Sequence, residues 1–86
     1  MQSWYVYIVR CADDSLYTGI ASDVKRRVDE HNGSGTLGAR YTRVRRPVEL
    51  VYHEAVDSRS AAMQREHQIR RLSREEKHVL IDKAKR

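Results

Sequence analysis

The stretch WYVYIVRC, residues 4–11, is a nearly continuous run of aromatic and β-branched residues and reads as a buried strand. Ala12-Asp13-Asp14-Ser15 carries turn chemistry, and LYTGI, residues 16–20, returns as a second strand, so the two form a β-hairpin. The period then changes. Ser22 or Asp23 is suited to cap a helix that runs to Asn32 and stops at Gly33, with Val24 and Val28 marking its apolar stripe. Residues 33–47 hold three of the four glycines and the only proline, which predicts a long surface loop. VELVYHEAV, residues 48–56, is a third strand. Asp57 or Ser58 caps a second helix over about 59–72, with Ala62, Ile69 and Leu72 facing inward. Ser73-x-x-Glu76 is a capping-box pattern that starts a third helix. The predicted order is ββαβαα: an α+β domain over residues 1–86, with a small three-stranded antiparallel sheet flanked by helices.

Composition narrows the classes. A chain of 86 residues buries only about 60% of its unfolded surface, so the core must be compact. No apolar run approaches the roughly 18 residues that span a bilayer, and MQSWYVYIVR lacks the features of a signal peptide. The expected compartment is the cytoplasm, without a membrane partner. A lone Cys11 excludes an intrachain disulfide framework. The net charge is +5, and arginine supplies 13 of the 17 cations. Seven of them fall between Lys25 and Arg46, against two acids, Asp29 and Glu30. Arginine suits bidentate phosphate contacts, so a polyanion partner is expected, with nucleic acid the natural candidate.

Several residues do not fit a plain scaffold. Arg27 and His31 each lie three residues beyond a valine of the first helix, at the edge of its apolar stripe. Glu66 lies between Ala62 and Ile69 on the inward face of the second helix, where an unpaired charge is costly. It calls for an arginine at the rim of the core, a metal ion, or both. Five tyrosines and no phenylalanine leave aromatic hydroxyls in need of partners. Tyr5 and Tyr7 share a strand face, and Tyr17 stands two residues before Gly19, where backbone can pass close to another group. Asp13 and Asp14 are either turn formers or metal ligands. The four histidines and Cys11 show no zinc-ligand spacing.

Together these residues resemble the GIY-YIG nuclease superfamily, in particular its small stand-alone bacterial branch. The first motif is Tyr5-Val6-Tyr7, and the second is Tyr17-Thr18-Gly19, ten residues on by the shared tyrosines. Arg27 follows Gly19 by eight residues, where the superfamily has its catalytic arginine. His31 and Glu66 fall where it has a histidine or tyrosine and a metal-binding glutamate. EHN (30–32), YTRVRRPVELVY (41–52) and SRSAAMQREHQIRRLSREEK (58–77) echo the stand-alone branch.

The resemblance implies a metal-dependent DNA endonuclease, with RNA as a further candidate substrate, acting in repair or processing. Its catalytic set would be Tyr7, Tyr17, Arg27, His31 and Glu66. Glu66 would hold a single Mg²⁺ or Mn²⁺, mostly hydrated. Arg27 would neutralise charge on the phosphate. Tyr7 or Tyr17 would position or deprotonate water, and His31 would orient a tyrosine, accept a proton or hold phosphate. Lys25, Arg26, Arg40, Arg43, Arg45 and Arg46 would bind the nucleic-acid backbone. Low sequence specificity, with selection of substrate structure, is expected because larger relatives gain specificity from added DNA-binding domains. The chain departs from the motifs at Tyr5, Val6 and Thr18. Several active relatives also use an asparagine downstream of the glutamate, whereas the only asparagine here is Asn32. A binding module that kept the scaffold without turnover is the alternative.

Overall fold

The central strand β1 (Trp4–Arg10) is flanked on one side by β2 (Leu16–Ala21) and on the other by β3 (Glu49–Val56), both antiparallel to it. This computed structural model describes residues 3–33 and 39–85. The helices are α1 (Val24–Asn32), α2 (Arg40–Arg43), α3 (Arg59–Arg70) and α4 (Arg74–Ala84). Three strands and three longer helices follow the predicted order. The single turn α2 is an addition, within a segment whose composition predicts loop. Residues 34–38 of that predicted loop lie outside the described residues.

The unbroken apolar run of β1 has a direct cause: both faces of the strand are covered. Val6 and Ile8 point one way and pack with Tyr52, Ala62, Ile69 and Ile81, beneath α3 and α4. Tyr7, Val9 and Cys11 point the other way, into a second cluster with Ala21 and Val48, against Val24 and Val28 of α1. Period-2 alternation thus sorts one strand into two cores. A register shift between Ile8 and Val9 sets Val9 opposite Leu50.

Local chemistry fixes the ends. Asp23 caps α1 by accepting from the Arg26 backbone N–H, and Ser58 caps α3 through that of Ala61. The Ser73–Glu76 capping box is complete. Asp13 accepts from both the backbone and the hydroxyl of Ser15, which holds its carboxyl below the usual range. Asp14 adopts φ 67°, which Asp tolerates in turns. The aspartate pair therefore forms the hairpin turn, and the metal alternative falls away. No helix among the described residues is long and apolar enough to cross a membrane.

Asn32 joins the two halves of the chain. Its Nδ2 donates to the Val48 carbonyl at 3.0 Å, and its Oδ1 accepts from the Val48 N–H at 2.7 Å. The side chain acts as a piece of backbone, tying the end of α1 to the start of β3. Asn32→Ala should lower stability by about 1–2 kcal/mol, which for a domain of this size shifts the melting midpoint by roughly 4–8 °C per kcal/mol. Calorimetry checks this, and an unchanged midpoint would show that the clamp does not bear on stability.

Candidate active site

The site is built on a missing side chain. Tyr7 on β1 pairs with Gly19 on β2. A Cβ added to Gly19 would lie 2.5 Å from the Tyr7 hydroxyl and 2.6 Å from its Cζ. The Tyr7 ring therefore lies across Gly19, and only glycine leaves room for it. No described glycine has positive φ, so space rather than backbone freedom selects the residue.

The Tyr7 hydroxyl ends 2.8 Å from His31 Nε2. His31 is completely buried, further inside than the edge of the α1 stripe suggested. Its Nδ1 lies 2.8 Å from Thr42 Oγ1 of α2, which is also fully buried. The Thr42 hydroxyl has one proton, and it donates to the Ala39 carbonyl at 2.9 Å. His31 Nδ1 then carries the hydrogen given to Thr42, and Nε2 accepts from the Tyr7 O–H. The Ala39 N–H approaches Nδ1 at 3.3 Å and would ask for the opposite tautomer. The two shorter bonds outweigh it.

Burial, followed by the charge of Arg27, pushes His31 down to about 4. Burial, followed by Tyr17, pushes Tyr7 up to about 12. At neutral pH the pair is a phenol facing a neutral imidazole. A histidine enclosed on all sides does not hold phosphate, and of its three expected roles that one is corrected here. What remains is to orient Tyr7 and accept its proton.

The other predicted residues act on this pair by packing or by charge. Tyr17 sets its ring edge-on to His31, with centroids 5.5 Å apart, and stacks on Tyr41 at 5.8 Å. Arg27 lies one turn before His31 on α1. Its Nη1 holds Glu30 Oε1 at 2.9 Å, while its charge and hydrogen bonding draw the Tyr7 pKa down. Glu66 is half-buried on α3, and its charge is felt at Tyr7. Among the described residues it makes no hydrogen bond or ion pair with a side chain, so the expected arginine partner at the core rim is not there. A cleft of about 390 Å³ lined by Val24, Val28, Leu50 and His53 lies between α1 and β3, with none of these predicted residues in its lining.

No group of three or more His, Cys, Asp or Glu among the described residues could hold a metal on its own. A half-buried carboxylate without a cationic partner among the described residues nevertheless fits one hydrated Mg²⁺ or Mn²⁺, which takes one or two carboxylates plus water and substrate phosphate. It does not fit zinc.

The expected nucleic-acid contacts divide. Lys25, Arg26, Arg40 and Arg43 are exposed, with Arg26 3.6 Å from Glu30. Arg45 is instead folded over the Tyr41 ring, 3.8 Å from its centroid, and bonded to Asp13 and the Tyr41 carbonyl. Arg46 donates to the His31 carbonyl. These two bond within the fold, whereas the other four stand exposed. Sequence reading did not single out Thr42, Tyr41 or Glu30. Tyr41 belonged to the unexplained excess of tyrosines. Nothing in the local pattern around Thr42 points to a histidine eleven residues away.

A tyrosine–histidine pair beside an arginine, on a small sheet with helices on both faces, is the arrangement that the chain brings to a comparison with known proteins. A family model described as the GIY-YIG catalytic domain matches residues 3–78. The chain belongs to this nuclease family. A UPF0213 protein of Haloquadratum walsbyi is 56% identical over 78 residues, covering 91% of this chain and 85% of its own length. One from Staphylococcus aureus is 52% identical over 81 residues, covering 94% and 96%. The solution structure of a UPF0213 protein from Bacillus halodurans aligns with TM-score 0.58 at 42% identity, over 93% of this chain and 83% of that one. An Enterococcus (E. faecalis) protein solved the same way gives 0.64 at 36%, over 96% and 86%.

Two outcomes follow. Thr42→Val keeps shape but removes the acceptor for His31 Nδ1–H, an unsatisfied donor worth about 1–3 kcal/mol. Nitrogen-15 NMR of His31 should show the Nδ1–H tautomer in the wild type and Thr42→Ser, and lose it in Thr42→Val. Secondly, His31 titrates near 6.5 when unfolded and near 4 when folded. Between these values only the unfolded chain takes up the proton, so stability is complete above pH 6.5 and falls as pH drops toward 4. The loss is on the order of 3 kcal/mol. Urea midpoints measured across this range should show the fall, and His31→Gln should flatten it.

Proposed function

We propose that this protein is a metal-dependent endonuclease that hydrolyses phosphodiester bonds in DNA during repair or processing, with low sequence specificity and selection by substrate structure. The observation that carries this reading is the hydrogen bond from the Tyr7 hydroxyl to His31, with Tyr17 packed on that histidine and the charges of Arg27 and Glu66 acting on Tyr7. A divalent ion on Glu66 would supply Lewis-acid polarisation and charge neutralisation. Arg27, oriented by Glu30, would bring its positive charge to the non-bridging oxygens, an interaction that strengthens as charge builds. Tyr7, 1% exposed at rest, would take the proton of the attacking water where substrate binding opens its hydroxyl, as its own proton passes to His31 Nε2. With the phenol at about 12, this transfer needs added positive charge beside it, and Arg27 pulls in that direction. Tyr17 packs on His31 and fixes the ring that receives the proton. The exposed cations of α1 and α2 offer contacts to phosphate, which position a duplex without reading its bases.

One observation favours the second reading, a binding module without turnover. Asn32, the chain's only asparagine, is engaged in the Val48 clamp and does not supply the site. The two readings separate in one experiment. Plasmid, single-stranded, flap and junction DNA, together with RNA, are incubated with Mg²⁺ or Mn²⁺ and with chelator. The nuclease reading expects metal-dependent nicking, reduced about 10²–10³-fold in Arg27→Ala and abolished in Glu66→Ala and Tyr7→Phe. Cleavage undiminished in purified Glu66→Ala would sink the site assignment. Salt-sensitive binding without product under any metal would establish the binding module instead.

A further inference from the structure

Arg59, Glu66 and Arg70 lie seven and four residues apart on α3, so they share one flank of the helix. Contacts fix the direction in which this flank faces. Arg70 Nη2 reaches the Thr18 carbonyl of β2 at 3.5 Å. The Arg59 guanidinium stands 5.8 Å from the ring centroid of Trp4, at the other end of the sheet. On the opposite flank, Arg65 bonds Glu54 of β3. The first flank therefore overlooks β2, an edge strand. Just past the helix, Arg74 donates to the Asp14 carbonyl of the hairpin turn at 2.8 Å. The row thus runs from Arg59, at the start of β1, to Arg70 at β2 and Arg74 at the hairpin turn, with the candidate metal carboxylate between cations. Thr18, which Arg70 touches, stands between Tyr17 and Gly19 of the site. All three arginines are exposed, and Arg70 and Arg74 keep most of their guanidinium donors for another partner.

We propose that a nucleic-acid strand runs along the outer edge of β2, between α1 and α3, with its phosphates held by Arg59, Arg70 and Arg74 on the α3–α4 side. The reacting phosphate lies at Arg27 and Glu66. This rests on the nuclease reading and adds a second cationic rim that the cluster from Lys25 to Arg46 did not reveal. From Arg59 to Arg70 the helix rises about 16 Å, which matches roughly five nucleotides at about 3.4 Å each. Across β2 stand Arg26 and Arg27 of α1, which line a recess with Ile20 and Ala21 of that strand, so a strand in this trough is gripped on both sides of the bond to be cut.

The test is binding without metal, followed by fluorescence anisotropy in chelator across a salt series. The probes are a labelled 20-nucleotide DNA strand, the same sequence as RNA, and the DNA duplex. Arg59→Ala with Arg74→Ala should weaken binding roughly tenfold and make the log–log salt slope shallower by about 1.4–1.8, the release expected for two phosphates. Arg59→Lys with Arg74→Lys should restore the slope. The control pair Arg71→Ala with Lys83→Ala removes the same charge from exposed positions off the row, and should leave the slope unchanged. Circular dichroism confirms that each variant is folded. Equal losses in row and control overturn the row while leaving the nuclease reading intact. If the wild type binds none of the probes, both fall together.

Discussion

The arrangement depends on one close approach, the ring of Tyr7 lying across Gly19. A side chain at position 19 would overlap the Tyr7 hydroxyl. Without that overlap the hydroxyl extends past the neighbouring strand and reaches His31 on the helix above. Through this single crossing a residue of the central strand acts at the edge of the sheet. The aromatic ring, the glycine and the histidine form one unit, because each is placed by the other two.

His31 extends that unit into the polar interior. A buried imidazole must find partners for both nitrogens, and here they come from different elements, β1 and α2. The short helix α2 is four residues long and would not persist alone. It is held by its bonds to His31, by the stacking of Tyr41 on Tyr17, and by Arg45 closing over Tyr41. The same contacts that order α2 select the imidazole tautomer. Burial then moves the two partners apart, with Tyr7 near 12 and His31 near 4. The resting Tyr7–His31 pair is neutral and hydrogen-bonded, with the Arg27 guanidinium beside it.

Covering the sheet on both faces has a consequence for function. Helix α1 brings Arg27 and His31 from one layer, and α3 brings Glu66 and Arg70 from the other. The two layers can meet only at an edge of the sheet, β2 or β3, and Arg70 reaches the β2 edge at the Thr18 carbonyl. An edge strand is ordinarily a liability for unwanted pairing. In this fold it forms the floor of a trough lined by cations from both layers.

Much of this was legible in the chain. Period-2 and period-3.6 patterns, two helix caps and a capping box determined the strands, the three longer helices and their order, because these are local effects of backbone geometry and nearby hydrogen bonds. Motif spacing determined which tyrosines, arginine, histidine and glutamate belong together. Three things were decided only by the tertiary structure. Complete burial of His31 depends on Thr42 and the turn that carries it, a partner eleven residues away with no local signal. Arg45 and Arg46 looked like any other exposed cations, and only packing turned them inward to Tyr41 and the His31 carbonyl. The arginines of α3 and α4 gave no sign of their place because helical periodicity tells which residues share a flank, whereas the strand that flank overlooks is set by contacts between elements far apart in the chain.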